Sequence, residues 1–279
     1  MGKTLYISDL DGTLLQNDAK LSDYTTQVLQ SFTQRGGLFS VATARTWEST
    51  TYNHFLDPVL PLSVPIVLMN GALVYDTQTR RYVKKALMEP QVVRDMLVCV
   101  KAHGQTGNLY SLKDDFIRVY HEDVSRFPLQ LMFNASRKQT FGKNLIQTHN
   151  IAECAQKDIV QLSMRGSHES LLPLYESLRQ LPGIDCTFYP DSYLKDCWML
   201  ECFSRFASKF NAVRYLREAY GFDKIIGFGD NLNDIPLFEA CDEAYAVANA
   251  REELKAVATG VIGANTEDGV AKFLEEIAC

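Results

Sequence analysis

No run of apolar residues in this chain is long enough to cross a bilayer. No basic stretch followed by a small-residue cleavage site stands near its first residues, so a signal peptide is not expected and a soluble, cytoplasmic protein is. Basic charge is also short. Lys and Arg number 28 against 34 Asp and Glu, for a net charge of -6. A general nucleic-acid binder needs a basic stripe to displace counterions, so that class is set aside, whereas a local positive pocket for a small anion is not. Cysteine is present without pattern. The seven thiols (Cys99, Cys154, Cys186, Cys197, Cys202, Cys241, Cys279) are odd in number and include no CxxC pair, which excludes the usual disulfide framework or zinc site. The five histidines show no HxxxH spacing and read as surface or core residues. Internal repeats and low-complexity tracts are missing too.

What remains is ordinary globular material. Hydrophobic residues make up 46% and charged residues 22% of 279 residues, enough for two domains. Lys3 to Asp9 reads as a strand. Ser22 caps an expected helix to about Arg35, with Val28, Leu29 and Phe32 on one face and Gly36-Gly37 at its end. GLFSVATAR and VPIVLMNGALVYD read as second and third strands. Strands alternating with helices predict a parallel sheet.

The rhythm then changes. Glu89 to Ala102 has helical spacing of Val92, Met96, Cys99 and Val100. NLYSLK, FIRVYH and IVQLSMR alternate like antiparallel strands. HESLLPLYESLRQLPG reads as a helix with Pro173 in its first turn, followed by strands IDCTFYP and CWMLECF. Trp198, Phe188, Tyr189 and Tyr193 read as packing aromatics. Near residue 205 the α/β pattern returns: a helix from about Ala207 to Tyr220, the strand KIIGFGD, a short helix, the strand EAYAVAN, and a terminal helix with Val270, Phe273, Leu274 and Ile277 on its stripe. The expected fold is α/β, a Rossmann-like parallel-sheet core of residues 1–82 and 194–279. A second α+β domain, residues 83–193, is inserted into it.

In open parallel sheets, ligands bind beyond the carboxyl ends of the strands. Here those ends carry Asp9-Leu10-Asp11-Gly12-Thr13, then Thr43-Ala44-Arg45, then Gly229-Asp230-Asn231-Leu232-Asn233-Asp234, with Lys209 on a helix between. Singly, each has a plain structural account. Asp11-Gly12 makes a turn, Thr43 caps a helix, Lys209 is a solvated helix lysine, and Asp230 to Asp234 form a loop and cap. Those accounts do not explain their joint placement. Four converging carboxylates, Asp9, Asp11, Asp230 and Asp234, demand a cation, and an all-oxygen donor set selects a hard ion, most often Mg2+. Mg2+ commonly shares its shell with a phosphate. Lys209, a threonine hydroxyl and the backbone N–H groups of Leu10 to Thr13 suit the remaining phosphate oxygens. A metal-bound carboxylate can then act as nucleophile, and a second one can move the proton. Leu10 is expected to point into the core, leaving Asp9 and Asp11 on one face by the two-residue strand repeat.

DLDGTLL, ATAR, Lys209 in SRFASKFNAV, and GDNLND resemble, in that order, the four motifs of the haloacid dehalogenase (HAD) superfamily. MNGALVYD, AVANA and TEDGVAKFLEE resemble its Cof-type phosphatase branch, and the insert's position resembles the large α/β cap of that branch, a domain that sets substrate specificity. The resemblance implies Asp9 as nucleophile and Asp11 as general acid/base. It implies Mg2+ held by the Asp9 carboxylate, the Asp11 backbone carbonyl and Asp230. Thr43 and Lys209 bind the phosphoryl group, Asn233 reaches it, and Asp234 supports metal waters or orients Lys209. Gly12, Ala44 and Arg45 support the site. Two residues depart from the branch's pattern: Ala44 and Phe210 stand where glycine is usual, and Phe210 bears on the placing of Lys209. The implied activity is Mg2+-dependent hydrolysis of small phosphomonoesters, such as sugar phosphates or phosphorylated cofactors, through an aspartyl phosphate. A phosphomutase of the same superfamily, or a non-enzymatic phospho-acceptor sensor, are the alternatives. The expected partner is a small phosphorylated metabolite, not nucleic acid or a membrane; the oligomeric state is left open.

Overall fold

The apolar run Thr4–Ser8 forms strand β1 in the computed structural model, which describes residues 2–52, 54, 56–191 and 194–278. After β1 come a tight turn over Leu10–Leu14, then α1 (Asp23–Gln34), β2 (Leu38–Val41), α2 (Trp47–Tyr52), β3 (Ile66–Leu68), β4 (Leu73–Asp76) and β5 (Arg81–Lys85). The middle of the chain forms α3 (Pro90–Ala102), β6 (Asn108–Lys113), β7 (Phe116–His121), α4 (Pro128–Phe141), β8 (Leu145–Gln147), β9 (Ile159–Gly166), α5 (His168–Leu178), β10 (Ile184–Pro190) and β11 (Trp198–Ser204). The last part holds α6 (Lys209–Tyr220), β12 (Lys224–Gly229), α7 (Ile235–Ala240), β13 (Glu243–Val247), α8 (Glu252–Lys255), β14 (Gly260–Ile262) and α9 (Gly269–Ala278). The chain divides into two units, Met1–Lys85 with Ala207–Cys279, and Ala86–Phe206.

In the first unit, five parallel strands run in the order β14-β13-β12-β1-β2. Helices cover both faces of such a sheet, so its central strands are largely apolar: Leu5, Ile7, Phe39, Val41, Ile225 and Phe228 are all buried, with Ser8 and Ser40 buried among them. The central pair β1–β12 joins residues from opposite ends of the chain, with Tyr6 opposite Ile226 and Ser8 opposite Phe228. α1 starts where Ser22 Oγ accepts the Thr25 N–H at 2.9 Å, and Val28, Leu29 and Phe32 form its buried stripe. α6 starts where Ser208 Oγ accepts the Asn211 N–H at 3.0 Å and stops at Gly221, which takes the left-handed conformation.

The segment read as one third strand is a hairpin. Met69, Asn70 and Gly71 all adopt positive φ (51°, 53° and 95°), which reverses the chain between β3 and β4. β3, β4 and β5 then form a small antiparallel sheet, and Ala42 bridges Val67 in parallel alignment beside β2.

The second unit is built on a six-stranded sheet, order β10-β11-β9-β6-β7-β8, antiparallel except for β7–β8. Val93, Met96, Leu109, Leu162, Leu174 and Leu200 lie in one buried cluster. β11 corrects the expected boundary at 193/194. It pairs with β10 on one side and β9 on the other (Cys202 opposite Cys186 and Leu162), so it is an interior strand of this unit, which runs to Phe206. β5 likewise stays with the first unit, beyond the expected limit of 82, because it pairs with β4. Pro173 sits inside α5, not in its first turn, since Ser167 caps the helix at His168. The deeply buried face of α3 is Val93, Met96, Leu97 and Val100, rotated from the expected one. Phe188 packs 4.6 Å from Trp198 and 5.2 Å from Tyr175, as expected of packing aromatics. Tyr193 and Cys279 lie outside the described residues. Among the described residues, no helix is long and apolar enough to cross a membrane.

Candidate active site

The site is assembled at the carboxyl ends of β1, β2 and β12. Asp9 extends the ladder by one bond, its N–H reaching Phe228 O at 2.9 Å, and the chain then leaves the sheet. Leu10 turns into the core, fully buried. Gly12 turns the chain with φ +76°, and a Cβ there would stand 2.6 Å from Asp230 Oδ2, so the loop passes close against that carboxylate only because the side chain is absent.

Lys209 is the first residue of α6, and its side chain is only 1% exposed. Its Nζ stands 2.6 Å from Asp9 Oδ1 and 2.6 Å from Asp234 Oδ1. The second Asp234 oxygen accepts the N–H groups of Asp230 and Asn231 at 3.0 and 3.1 Å. Asp234 is therefore fully committed: it holds the loop after β12 and aims the lysine. Thr13 Oγ1 donates to Asp230 Oδ1 at 3.0 Å, which leaves Asp230 Oδ2 toward Gly12. Ligand atoms of Asp9, Asp230 and Asp234 all lie within 4.8 Å of one another.

One ammonium cannot neutralise three carboxylates. Burial pushes the Asp9 carboxyl well above its usual range. Lys209 pulls it back, and Asp234 and Asp230 raise it further. Burial, reinforced by Asp234, lifts Asp230 to about 7. Burial by itself would lower the Lys209 ammonium, but Asp234 and Asp9 outweigh that and hold it above the ordinary lysine value. An excess of negative charge on oxygen donors alone, free of sulfur and imidazole, fits a hard divalent cation.

Asp11 does not join this cluster. Its carboxylate accepts two bonds from Arg45, Nε to Oδ2 at 2.7 Å and Nη2 to Oδ1 at 2.6 Å, a planar bidentate pair. The strand repeat does not place it, because β1 ends at Ser8 and Asp11 lies in the turn. Thr43 is buried one residue beyond Ala42, whose N–H bonds Ser8 O, and its hydroxyl accepts the Arg45 N–H at 3.1 Å. Ala44 is exposed, so its methyl has room. Phe210 lies under the Arg214 guanidinium at 5.7 Å, and Lys209 reaches both carboxylates beside it. Asn233 is exposed and donates to Asn70 Oδ1 at 3.2 Å. Asn249 donates to Gly12 O at 2.7 Å, and the Arg251 N–H to Asp230 O at 2.9 Å. Sequence reasoning gave no role to Asn70, Asn249 or the Thr13 hydroxyl. The only signal for the two asparagines was their place inside MNGALVYD and AVANA.

Against known proteins, the model of the haloacid dehalogenase-like hydrolases matches residues 6–274. The chain belongs to that family. HAD relatives span nearly the same length. The Bacillus subtilis 5-amino-6-(5-phospho-D-ribitylamino)uracil phosphatase YitU is 24% identical, covering 96% of this chain and 95% of its own. The Escherichia coli pyridoxal phosphate phosphatase YbhA is 24% identical, covering 95% of each. Among solved structures, a Thermotoga maritima protein aligns with a TM-score of 0.78 at 24% identity, over 100% of this chain and 98% of that one. A haloacid dehalogenase-like hydrolase from Bacteroides thetaiotaomicron gives 0.77 at 20% identity, over 99% of each. These structures share the HAD fold, and the chain is an enzyme of this phosphatase family.

Proposed function

We propose that the protein is a Mg2+-dependent phosphatase of small phosphomonoesters, working through an aspartyl phosphate on Asp9. The observation that carries this reading is the Asp9–Lys209–Asp234 chain, with both contacts at 2.6 Å on a buried floor beside Asp230. An Asp9 oxygen attacks phosphorus and the phosphorus–oxygen ester bond breaks, while Asp11, turned away from Arg45 and protonated from solvent, gives that proton to the leaving oxygen. Water then attacks the phosphorus, Asp11 takes a proton from it, and the bond to Asp9 breaks to free inorganic phosphate. Lys209, the Thr43 hydroxyl, Asn233 and the Leu10 N–H bind the phosphoryl oxygens, so that charge builds up where donors already stand. The Asp9 carboxylate, the Asp11 carbonyl and Asp230 would hold Mg2+, which supplies the positive charge that lets one anion attack another. Asp234 is a positioning residue for Lys209. Arg45 holds Asp11 until the proton transfer requires it.

The substrate class rests on relatives named for a phosphoribitylamino-uracil and for pyridoxal phosphate, both small phosphomonoesters. Choice among such esters is assigned to the Ala86–Phe206 unit, as a cap domain. The test is phosphate release from a generic phosphomonoester with Mg2+ and with excess EDTA. Release with the metal only is expected, and release from a hexose monophosphate without its positional isomer separates hydrolysis from mutase chemistry. Turnover unaffected by EDTA would overturn the metal assignment.

A further inference from the structure

The second unit carries a pair of thiols that the proposed reaction does not use. Cys186 on β10 and Cys202 on β11 are direct cross-strand partners, and their Sγ atoms are 3.3 Å apart. Residues opposite one another on antiparallel strands hold their Cβ atoms about 4.5–5.5 Å apart, and a disulfide needs about 3.5–4.5 Å. With the sulfurs already turned toward each other, little strand movement remains to close the bond. The two thiols also differ usefully in access: Cys202 is fully buried, whereas Cys186 is half-buried and open to a small oxidant. A third thiol, Cys99 on α3, packs against the same core, but its sulfur lies 3.9 Å from His103 Nδ1, and His103 is in turn 3.1 Å from Ser177 Oγ. Cys99 also lies near enough to Cys186 for the two to interact electrostatically, but the Cys99 sulfur contacts His103, whereas Cys186 and Cys202 contact each other.

We propose that Cys186 and Cys202 are a modification site, forming a reversible disulfide with a peroxide as oxidant. The Cys186 thiolate attacks a peroxide oxygen, the O–O bond breaks, and Cys186 becomes a sulfenic acid as water leaves. The Cys202 sulfur then attacks the Cys186 sulfur, the S–O bond breaks, and a second water leaves. In balance, two thiols and one hydrogen peroxide give one disulfide and two waters. A small-molecule thiol reverses it by exchange, two equivalents being oxidised to their own disulfide. The bond would staple β10 to β11 inside the sheet.

The proposal is independent of the catalytic reading, so its test is chemical. The intact protein is treated with hydrogen peroxide, its remaining thiols are alkylated, and the digest is mapped by mass spectrometry. The expected result is a cross-linked pair of peptides holding Cys186 and Cys202, with free thiols in the denatured chain falling from seven by two, and full recovery with dithiothreitol. Cys99→Ser should leave the cross-link intact, and Cys186→Ser should abolish it. Cys186 oxidised to sulfinic acid without a cross-link, or joined to Cys99 instead, would overturn the assignment. The cross-link map of the unsubstituted protein decides this even if the buried Cys202→Ser variant does not fold.

Discussion

At the scale of single residues, the site turns on which carboxylates cluster and which do not. Asp9 and Asp234 both bond Lys209 with Asp230 close beside them, whereas Asp11 is held aside by Arg45. Asp9→Asn should therefore abolish phosphate release and trap no phosphoenzyme, with circular dichroism unchanged. Asp11→Asn should lower kcat by about 10²–10⁴-fold while phosphoenzyme still forms from esters with good leaving groups; rapid-quench labelling distinguishes the two. Asp230 makes a second prediction. Its carboxyl rises from 3.8 to about 7 on folding without metal, so between those values the folded state holds a proton that the unfolded chain has lost. The unfolded state binds fewer protons there, and the Asp230 contribution to stability falls as pH rises through that window. Other carboxylates oppose this: burial raises Asp242, but the Arg217 bond, the Ile225 N–H and the nearby cations together more than offset it, and the Lys224 bond outweighs burial and lowers Glu243. The difference between the metal-free protein and Asp230→Asn isolates the effect. In urea titrations the variant should gain on the original from about pH 4 to pH 7.

At the scale of elements, the site depends on how α6 is seated. Its first turn lies against the β3–β4 reversal, where a Cβ on Gly71 would fall 2.0 Å from Ser208 O, at a φ of +95° that disfavours any side chain. Gly71→Ala should cost at least about 1–2 kcal/mol from the backbone conformation alone and should also push Ser208 and Lys209 outward. Urea unfolding measures the first effect, and a loss of kcat larger than that of Ser208→Ala measures the second. Ser208→Ala removes only the cap, about 1 kcal/mol.

The same scale shows what the sequence made legible. α1, α6 and α9 could be read because each has a cap or an apolar stripe of helical period, and β1 and β12 because strands buried on both faces are continuously apolar. α4 could not, because its inner face buries Gln130 and Asn134 beside Phe133 and so carries no apolar period. The β3–β4 hairpin was hidden because two of its three positive-φ residues, Met69 and Asn70, are not glycine. β11 was placed in the wrong portion because strand identity is local, whereas its partner strands are set by the sheet.

For the whole molecule, the proposed metal site would link the stability of the folded state to a cation held by the three crowded carboxylates. A ligand that binds only the folded protein stabilises it by RT ln(1 + [L]/Kd), about 2.7 kcal/mol at a hundredfold excess over Kd. Mg2+ should therefore raise the melting temperature, and Asp230→Asn should remove most of that rise. Calorimetry with and without EDTA measures both. An equal rise in the variant would show that the ion binds elsewhere.

The sequence by itself determined the α/β class, the change of pattern in the middle of the chain, and three of the four carboxylates it expected to converge, Asp9, Asp230 and Asp234, because apolar periodicity and four ordered motifs are local properties of the chain. Tertiary structure alone decided that Asp11 meets Arg45, that Lys209 lies between Asp9 and Asp234, that Asn233 pairs with Asn70, and that Cys186 faces Cys202. The reason is distance along the chain. Asp11 and Arg45 are 34 residues apart, Asp9 and Lys209 are 200, and Asn70 and Asn233 are 163. Such partners leave no local pattern, and they meet only once the sheet brings its strand ends together.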